Sequence, residues 1–324
     1  MPRPLPRPGL LRDPDLRVAA LIAAWIGFVL AADGVGALDD HELLRQLALG
    51  AATWGVLGAL LRQETPLVRA QTLLVVAFAT AVEYTFSPLL EAYTYRIGTV
   101  PLFVPPGHGL VYLAALAIGR SATVRAHARA LVAATVVVSC TWAAYGVTLA
   151  GRRDVLGAFW CLGLLAFLAW GRARLLYVGA FAVVSYLEIA GTALGTWAWA
   201  THDPVLGVVG QGNPPSGAAG GYGWFDLYAV LLAPRALAAV AALRRQRSGR
   251  KPSESAESTS SWSSPLVATA SSPSGPSTPA TEENLPPASV TIGTSAAMSQ
   301  MASSGSQAMS TAPSATSMYD QKSP

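Results

Sequence analysis

Eight apolar runs, at roughly residues 18–37, 43–61, 70–90, 100–119, 130–150, 155–171, 175–200 and 221–243, are joined by short links that carry most of the arginines. Crossing a bilayer takes about 20 helical residues. Backbone exposed to lipid must satisfy its own hydrogen bonds, so such runs are helices. Only 12% of the residues are charged and 52% are hydrophobic, against about 25% charged in an average soluble domain. A water-soluble chain of this length could not cover its surface with so few charges. The pattern predicts an all-α, polytopic transmembrane bundle of about eight helices and excludes soluble-enzyme folds.

Arginine placement sets the expected orientation, since short cytoplasmic loops are enriched in Lys and Arg. Arg3, Arg7, Arg12 and Arg17 fall on one side, with Arg62/Arg69, Arg120/Arg125/Arg129, Arg172/Arg174 and the Arg244–Lys251 stretch. The other side holds Asp39 to Glu42, the Arg96 loop and the 201–220 loop, which has no Lys or Arg. Arg152-Arg153 is the one link that disagrees. The reading is a multi-pass plasma-membrane protein with both termini cytoplasmic. The first run is taken as a span in preference to a cleaved signal peptide, because no clean small-residue cleavage box follows it. Three regions result: a basic N-terminus (1–17), a transmembrane domain (18–248) and a tail (249–324). The tail is rich in Ser, Thr, Ala and Pro, too poor in apolar surface to offset its ordering entropy, and is expected to be disordered. The net charge of +4 is dispersed over the links, which gives no nucleic-acid patch. Cys140 and Cys161 fit no metal-ligand spacing and no disulfide framework. No metal or other cofactor is expected. Gly191-Thr-Ala-Leu-Gly195 is a small-xxx-small pattern suited to close helix packing, and small-residue helix faces offer a route to homo-oligomers.

Two glutamates interrupt these runs. Glu83 and Glu188 each follow an arginine, Arg69 and Arg174, by fourteen residues, which places them at one depth. An intramembrane carboxylate is expensive and marks a functional site by default. Their surroundings repeat. Thr80, Glu83 and Ser87 answer Ser185, Glu188 and Thr192, each set on one helix face. Tyr93-Thr-Tyr95 answers Trp197-Ala-Trp199, and Pro105-Pro-Gly-His-Gly109 answers Pro214-Pro-Ser-Gly217. Copies offset by four helices keep one orientation, so the expectation is a parallel four-helix repeat about an axis along the membrane normal. His108, Asn213 and Asp226 approach from the same, outer side. Plainer readings stand beside this one. The glutamates could bond the neighbouring hydroxyls and lock helices together. The four aromatics could form an interfacial belt, the Pro-Pro loops could only break helices, and Asp226 could only complement a helix dipole. His108 stands alone, which argues against a metal.

Glu83, Tyr93-Thr-Tyr95, Gly98 and Val100-Pro101-Leu102 resemble the pattern of the membrane-bound carotenoid hydratases of the bisanhydrobacterioruberin type. Trp197-Ala-Trp199 and the Gly- and Asn-containing loop after it are similar to that family's later Trp-x-Trp region. The resemblance covers about residues 70–230. It departs at Phe86-Ser-Pro-Leu-Leu90, where a Gly-rich stretch is expected. The two Pro-Pro loops look instead like those of uncharacterised actinobacterial membrane proteins. What the resemblance implies is a membrane lyase adding water to an isoprenoid alkene.

That chemistry needs a proton donor and a stabilised cation. Burial disfavours the charged form of a carboxyl, so a carboxylic acid in lipid can hold the proton. The faces of Tyr93, Tyr95, Trp197 and Trp199 can surround the cation, and the second carboxylate can orient water. The expected catalytic residues are thus Glu83, Glu188, Tyr93 and Tyr95; the substrate-binding residues are Trp197, Trp199, His108, Asn213 and Asp226. A proton-coupled small-solute transporter remains open, as does a non-catalytic membrane partner with structural glutamates. A transporter needs donors and acceptors along a wet route, and Leu73–Ala79 and Leu175–Val184 are nearly all apolar. That asymmetry tips the reading toward a membrane lipid or isoprenoid as the partner. No nucleotide loop, zincin motif or supported Ser/His/Asp order occurs.

Overall fold

The computed structural model of the chain describes residues 13–34 and 41–249. The expectations for the first twelve residues, for Asp39 and for the tail lie outside that range. Among the described residues there are nine α-helices: α1 (Pro14–Gly34), α2 (Glu42–Leu61), α3 (Pro66–Tyr84), α4 (Val104–Arg120), α5 (Ala122–Ala126), α6 (Ala128–Thr148), α7 (Val155–Trp170), α8 (Arg174–Ala193) and α9 (Ala218–Gly249). Each expected run supplies one helix, and α5 is an extra five-residue turn. Six are long and apolar enough to cross a membrane: α1, α2, α3 with the turn that continues it, α6, α8 and α9. The fold is not purely helical, however. A two-stranded antiparallel ribbon joins β1 (Tyr93–Tyr95) to β2 (Trp197–Trp199).

Helix ends follow local chemistry. Thr65 caps α3, its hydroxyl accepting from Val68 N at 3.3 Å, and Pro66 starts the helix where its missing N–H costs nothing. Arg69 turns back to donate to the carbonyls of Leu61 and Arg62, closing the end of α2. At its other end α3 opens into a π turn over Thr85–Leu89. Pro88 has no N–H and its ring crowds the carbonyl four residues back, so the ladder shifts to Leu90 N→Thr85 O at 3.0 Å. Glu91 then takes a left-handed φ of 55°, and the chain doubles back over the end of α3. The run at 175–200 also stops early. Gly195, at φ 73°, ends α8 as a left-handed cap.

The core is built around α4, whose residues Leu110 to Ala115 are all buried. α4 packs on α1, α3 and α8, and α9 packs on α3, α7 and α8. Backbones meet directly where side chains are absent. A Cβ on Gly179 would lie 2.4 Å from the Ala115 carbonyl oxygen, and one on Gly119 would lie 2.9 Å from Leu176 N. Gly191-xxx-Gly195 does something else. A Cβ on Gly191 would fall 1.9 Å from the Trp197 ring, so that pattern seats an aromatic and turns the chain; it does not join two helices.

At the start of α1, Asp13 ties the arginine-rich end together. Its carboxylate accepts from the Ser121 hydroxyl at 2.7 Å and from Thr123 N at 3.1 Å. The Ser121 bond, then the Thr123 amide, hold its pKa down to about 2. The unfolded value is about 3.9, so the stabilisation is fully present above that pH and is lost as pH falls towards 2. Asp13→Asn should therefore melt below the parent protein at pH 6, with the gap closing by pH 2. A gap independent of pH would show that the carboxylate's charge is not what stabilises.

Candidate functional site

Residues alternate sides along a strand, so Tyr-x-Tyr and Trp-x-Trp each put both rings on one face. Pairing then sets Tyr93 opposite Trp199 and Tyr95 opposite Trp197. The ring centroids lie 4.7 Å apart in the first pair and 6.0 Å in the second. This four-ring platform faces the two glutamates. Tyr93 and Tyr95 donate their hydroxyls to Glu83 Oε2 at 2.8 and 2.7 Å. Trp197 and Trp199 donate their indole N–H groups to Glu188 Oε2 at 3.1 and 3.0 Å. Each glutamate is thus gripped by the aromatic pair that follows it. The two carboxylates line one cavity.

His108, in the first turns of α4, completes the Glu83 side. Its Nε2 lies 2.8 Å from Glu83 Oε1, and its ring stacks on Tyr222 of α9 at 5.3 Å. The Nδ1 is buried with no partner among the described residues. Glu188 Oε1 likewise accepts no hydrogen bond from them, its two bonds both falling on Oε2. Burial, the largest cause, pushes the Tyr93 and Tyr95 phenols well above their ordinary pKa. They stay protonated and act as donors.

These groups line a cavity of about 560 Å³ whose remaining wall is largely apolar and aromatic, including Trp25, Phe103, Trp160 and Leu187. Phe78, Phe86, Trp224 and Tyr228, on α3, its π turn and α9, also line it while being 39–44% exposed. The cavity therefore reaches the outer faces of two helices that pack side by side.

A two-stranded ribbon is marginal alone, and polar clamps hold this one. Arg152 donates to the carbonyls of Trp199 at 2.7 Å, of Gln211 at 2.6 Å, and of Ala200. This explains the link that disagreed with its neighbours in charge: the guanidinium is a backbone cross-link. Gln211 Nε2 donates to Ala92 O at 2.8 Å. Asp154 accepts from the amides of Gly157, Gly212 and Ser216 and so folds the loop before α9.

Seven of the nine expected site residues meet here: Glu83, Glu188, Tyr93, Tyr95, Trp197, Trp199 and His108. Two do not. Asn213 is exposed, and its Oδ1 accepts from Trp199 N at 3.0 Å, so its amide positions the strand and does not line the cavity. Asp226 sits one turn beyond Tyr222 on α9 and is buried, and it is not part of the cavity lining. Tyr112 donates to Gln71 Oε1 at 3.0 Å. Buried polar groups thus lie further along α4 and α9 than the cavity residues His108 and Tyr222, and Tyr177 is buried within the stretch from Leu175 to Val184. Nor do the flanking hydroxyls serve the glutamates: Thr80 bonds Val76 O and Thr192 bonds Glu188 O. Each spends its hydroxyl on its own helix. Sequence reasoning missed Tyr222, Trp25 and Trp160; the aromatic density of 222–228 was the available signal for the first.

Among the described residues no group of three His, Cys, Asp or Glu gathers as a metal site. No protein-family model, no curated protein and no solved structure matches this chain.

Proposed function

We propose that the chain is a multi-pass plasma-membrane protein, both termini cytoplasmic, that binds an isoprenoid or similar apolar lipid in the outer leaflet and hydrates one of its alkenes. One observation carries the reading: a largely apolar, aromatic-walled cavity is lined by two carboxylates and reaches the exposed apolar sides of α3 and α9. A lipid chain would enter between those helices.

Glu188 suits the acid, because its Oε1 is unclaimed by the protein residues described. Its proton goes to one alkene carbon, leaving a tertiary cation at the other, which the rings of Tyr93 and Trp199 flank. Water adds to the cation, and the proton it sheds passes to the Glu83–His108 pair. The sum is alkene plus water to tertiary alcohol, with the proton finally returned to Glu188. A parallel repeat of α1–α4 with α6–α9 is part of the same proposal. It is supported by the matching grips on Glu83 and Glu188, by the pairing of β1 with β2, and by the reciprocal packing of α4 on α8 and α9 on α3.

Mass spectrometry of lipids retained by the purified protein is the test. An isoprenoid enriched over bulk phospholipid is expected. Its absence, together with proton-driven solute uptake in proteoliposomes, would replace this reading with a transporter. The buried Gln71–Tyr112 bond and Asp226 beyond it favour that second reading, because polar groups below the cavity are what a proton path requires. Asp226→Asn separates the two: it should abolish coupled uptake but leave alkene hydration near the parent rate.

A further inference from the structure

The arginine-rich end of the bundle, away from the carboxylates, holds a second cavity of about 1020 Å³. Five arginines line it: Arg120 at the end of α4, Arg125 on α5, Arg129 in the first turn of α6, and Arg172 and Arg174 where α7 passes to α8. Among the described residues no acidic one is on its wall. Two of the five are already engaged. Arg120 holds Asp15 at 2.7 Å and Glu64 at 2.6 Å, and Arg174 donates to Ala169 O at 2.6 Å. The guanidiniums of Arg125, Arg129 and Arg172, all exposed, make no hydrogen bond or ion pair with any described residue.

An arginine placed only to orient a helix has no need to converge on a shared cavity. Three like charges lining one space raise its positive potential, which an anion placed between them relieves. The fork of N–H donors on each matches the oxygens of a phosphate. The rest of the wall identifies the source of that phosphate. Leu116, Val132 and Leu176 make it apolar on the side towards the helices, and Trp170 stands at the rim with 84% of its surface exposed. Exposed tryptophan is typical of the level of lipid headgroups. A small inorganic anion has no use for apolar walls, whereas a phospholipid presents its phosphate and its glycerol-acyl portion together. Basic pockets between transmembrane helices take anionic headgroups by this combination. We propose that this cavity binds the phosphate of an anionic phospholipid through Arg125, Arg129 and Arg172. It does not depend on what the carboxylate cavity does.

The experiment uses the full chain purified in detergent, followed by native mass spectrometry and thermal unfolding with phosphatidylglycerol, phosphatidylcholine or sodium phosphate. Phosphatidylglycerol should stay bound and raise the melting temperature; phosphatidylcholine and phosphate at equal concentration should not. The triple variant Arg125→Gln/Arg129→Gln/Arg172→Gln should lose at least about tenfold in phosphatidylglycerol affinity, as expected for three headgroup contacts. Its melting temperature without lipid should not change, since those side chains hold no described residue. Arg17→Gln/Arg62→Gln/Arg244→Gln removes equal charge elsewhere at the same end and should keep the parent affinity. If the triple variant cannot be purified, the single variants Arg129→Gln and Arg172→Gln carry the comparison, each losing about twofold or more. Equal loss in the control set, unchanged binding in the cavity variants, or protection by inorganic phosphate as strong as by the lipid would each overturn the proposal.

Discussion

Gly220→Ala is expected to cost about 3 kcal/mol, the upper end for overpacking a filled contact, and to deplete the folded protein recovered from membranes. A Cβ at Gly220 would lie 1.9 Å from the Trp160 carbonyl oxygen, and one at Gly217 would lie 2.0 Å from that of Gly157. Both obstacles are backbone on α7, so no rotamer change relieves them. The start of α9 must withdraw, and it carries Tyr222, which stacks on His108. Gly58→Ala on α2 is the matched control. Nothing lies within 4 Å of its Cβ position, so it should be neutral or stabilise by about 0.5–1 kcal/mol through lower unfolded-state entropy. Thermal unfolding of the two variants in one detergent decides the matter. A Gly220→Ala protein melting within about 2 °C of the parent, under 1 kcal/mol for a chain of this size, would mean that α7 and α9 do not meet as described.

The contrast shows what sequence could and could not carry. Helix positions were legible because eight apolar runs leave little choice in lipid. The glutamates were legible for the same reason: a carboxylate in such a run stands out. Their partners were legible only as a repeated spacing, Tyr-x-Tyr after one and Trp-x-Trp after the other. The ribbon those pairs form could not be read. Three-residue strands in an apolar context give no periodicity to separate them from helix, and the run at 175–200 absorbed β2. What ends the helices there is one proline and one left-handed glycine, Pro88 and Gly195. Asp226 misled for a related reason. Its place near the start of a helix suggested the cavity side, but one turn along α9 from Tyr222 it is buried outside the cavity lining. Arg152 was anomalous as a topological charge because it is bonded to three carbonyls.

Under the proposed function, Glu188→Gln is expected to lower alkene hydration at least about 100-fold, the lower range for losing a general acid, with the fold intact. The glutamine carbonyl oxygen can still accept from both indoles, which bond a single oxygen now; its amide then occupies the place of Oε1 and has no acidic proton to give. Glu83→Gln should behave alike. Its carbonyl can serve Tyr93 and Tyr95, and its amide can donate to His108 Nε2 in the tautomer that accepts. Leucine at either position has the opposite signature. Glu188→Leu leaves two indole N–H groups without an acceptor, and Glu83→Leu strands two phenols and a histidine, each buried unpaired group costing about 1–3 kcal/mol. If the carboxylates only lock helices, the glutamine variants keep full activity and the leucine variants merely melt early. If they carry the proton, activity falls in the glutamine variants while thermal unfolding and tryptophan fluorescence stay at the parent values. Measuring hydration, melting temperature and fluorescence on the same four proteins separates the two roles, because glutamine keeps the shape and the accepting oxygen but has no acidic proton to give.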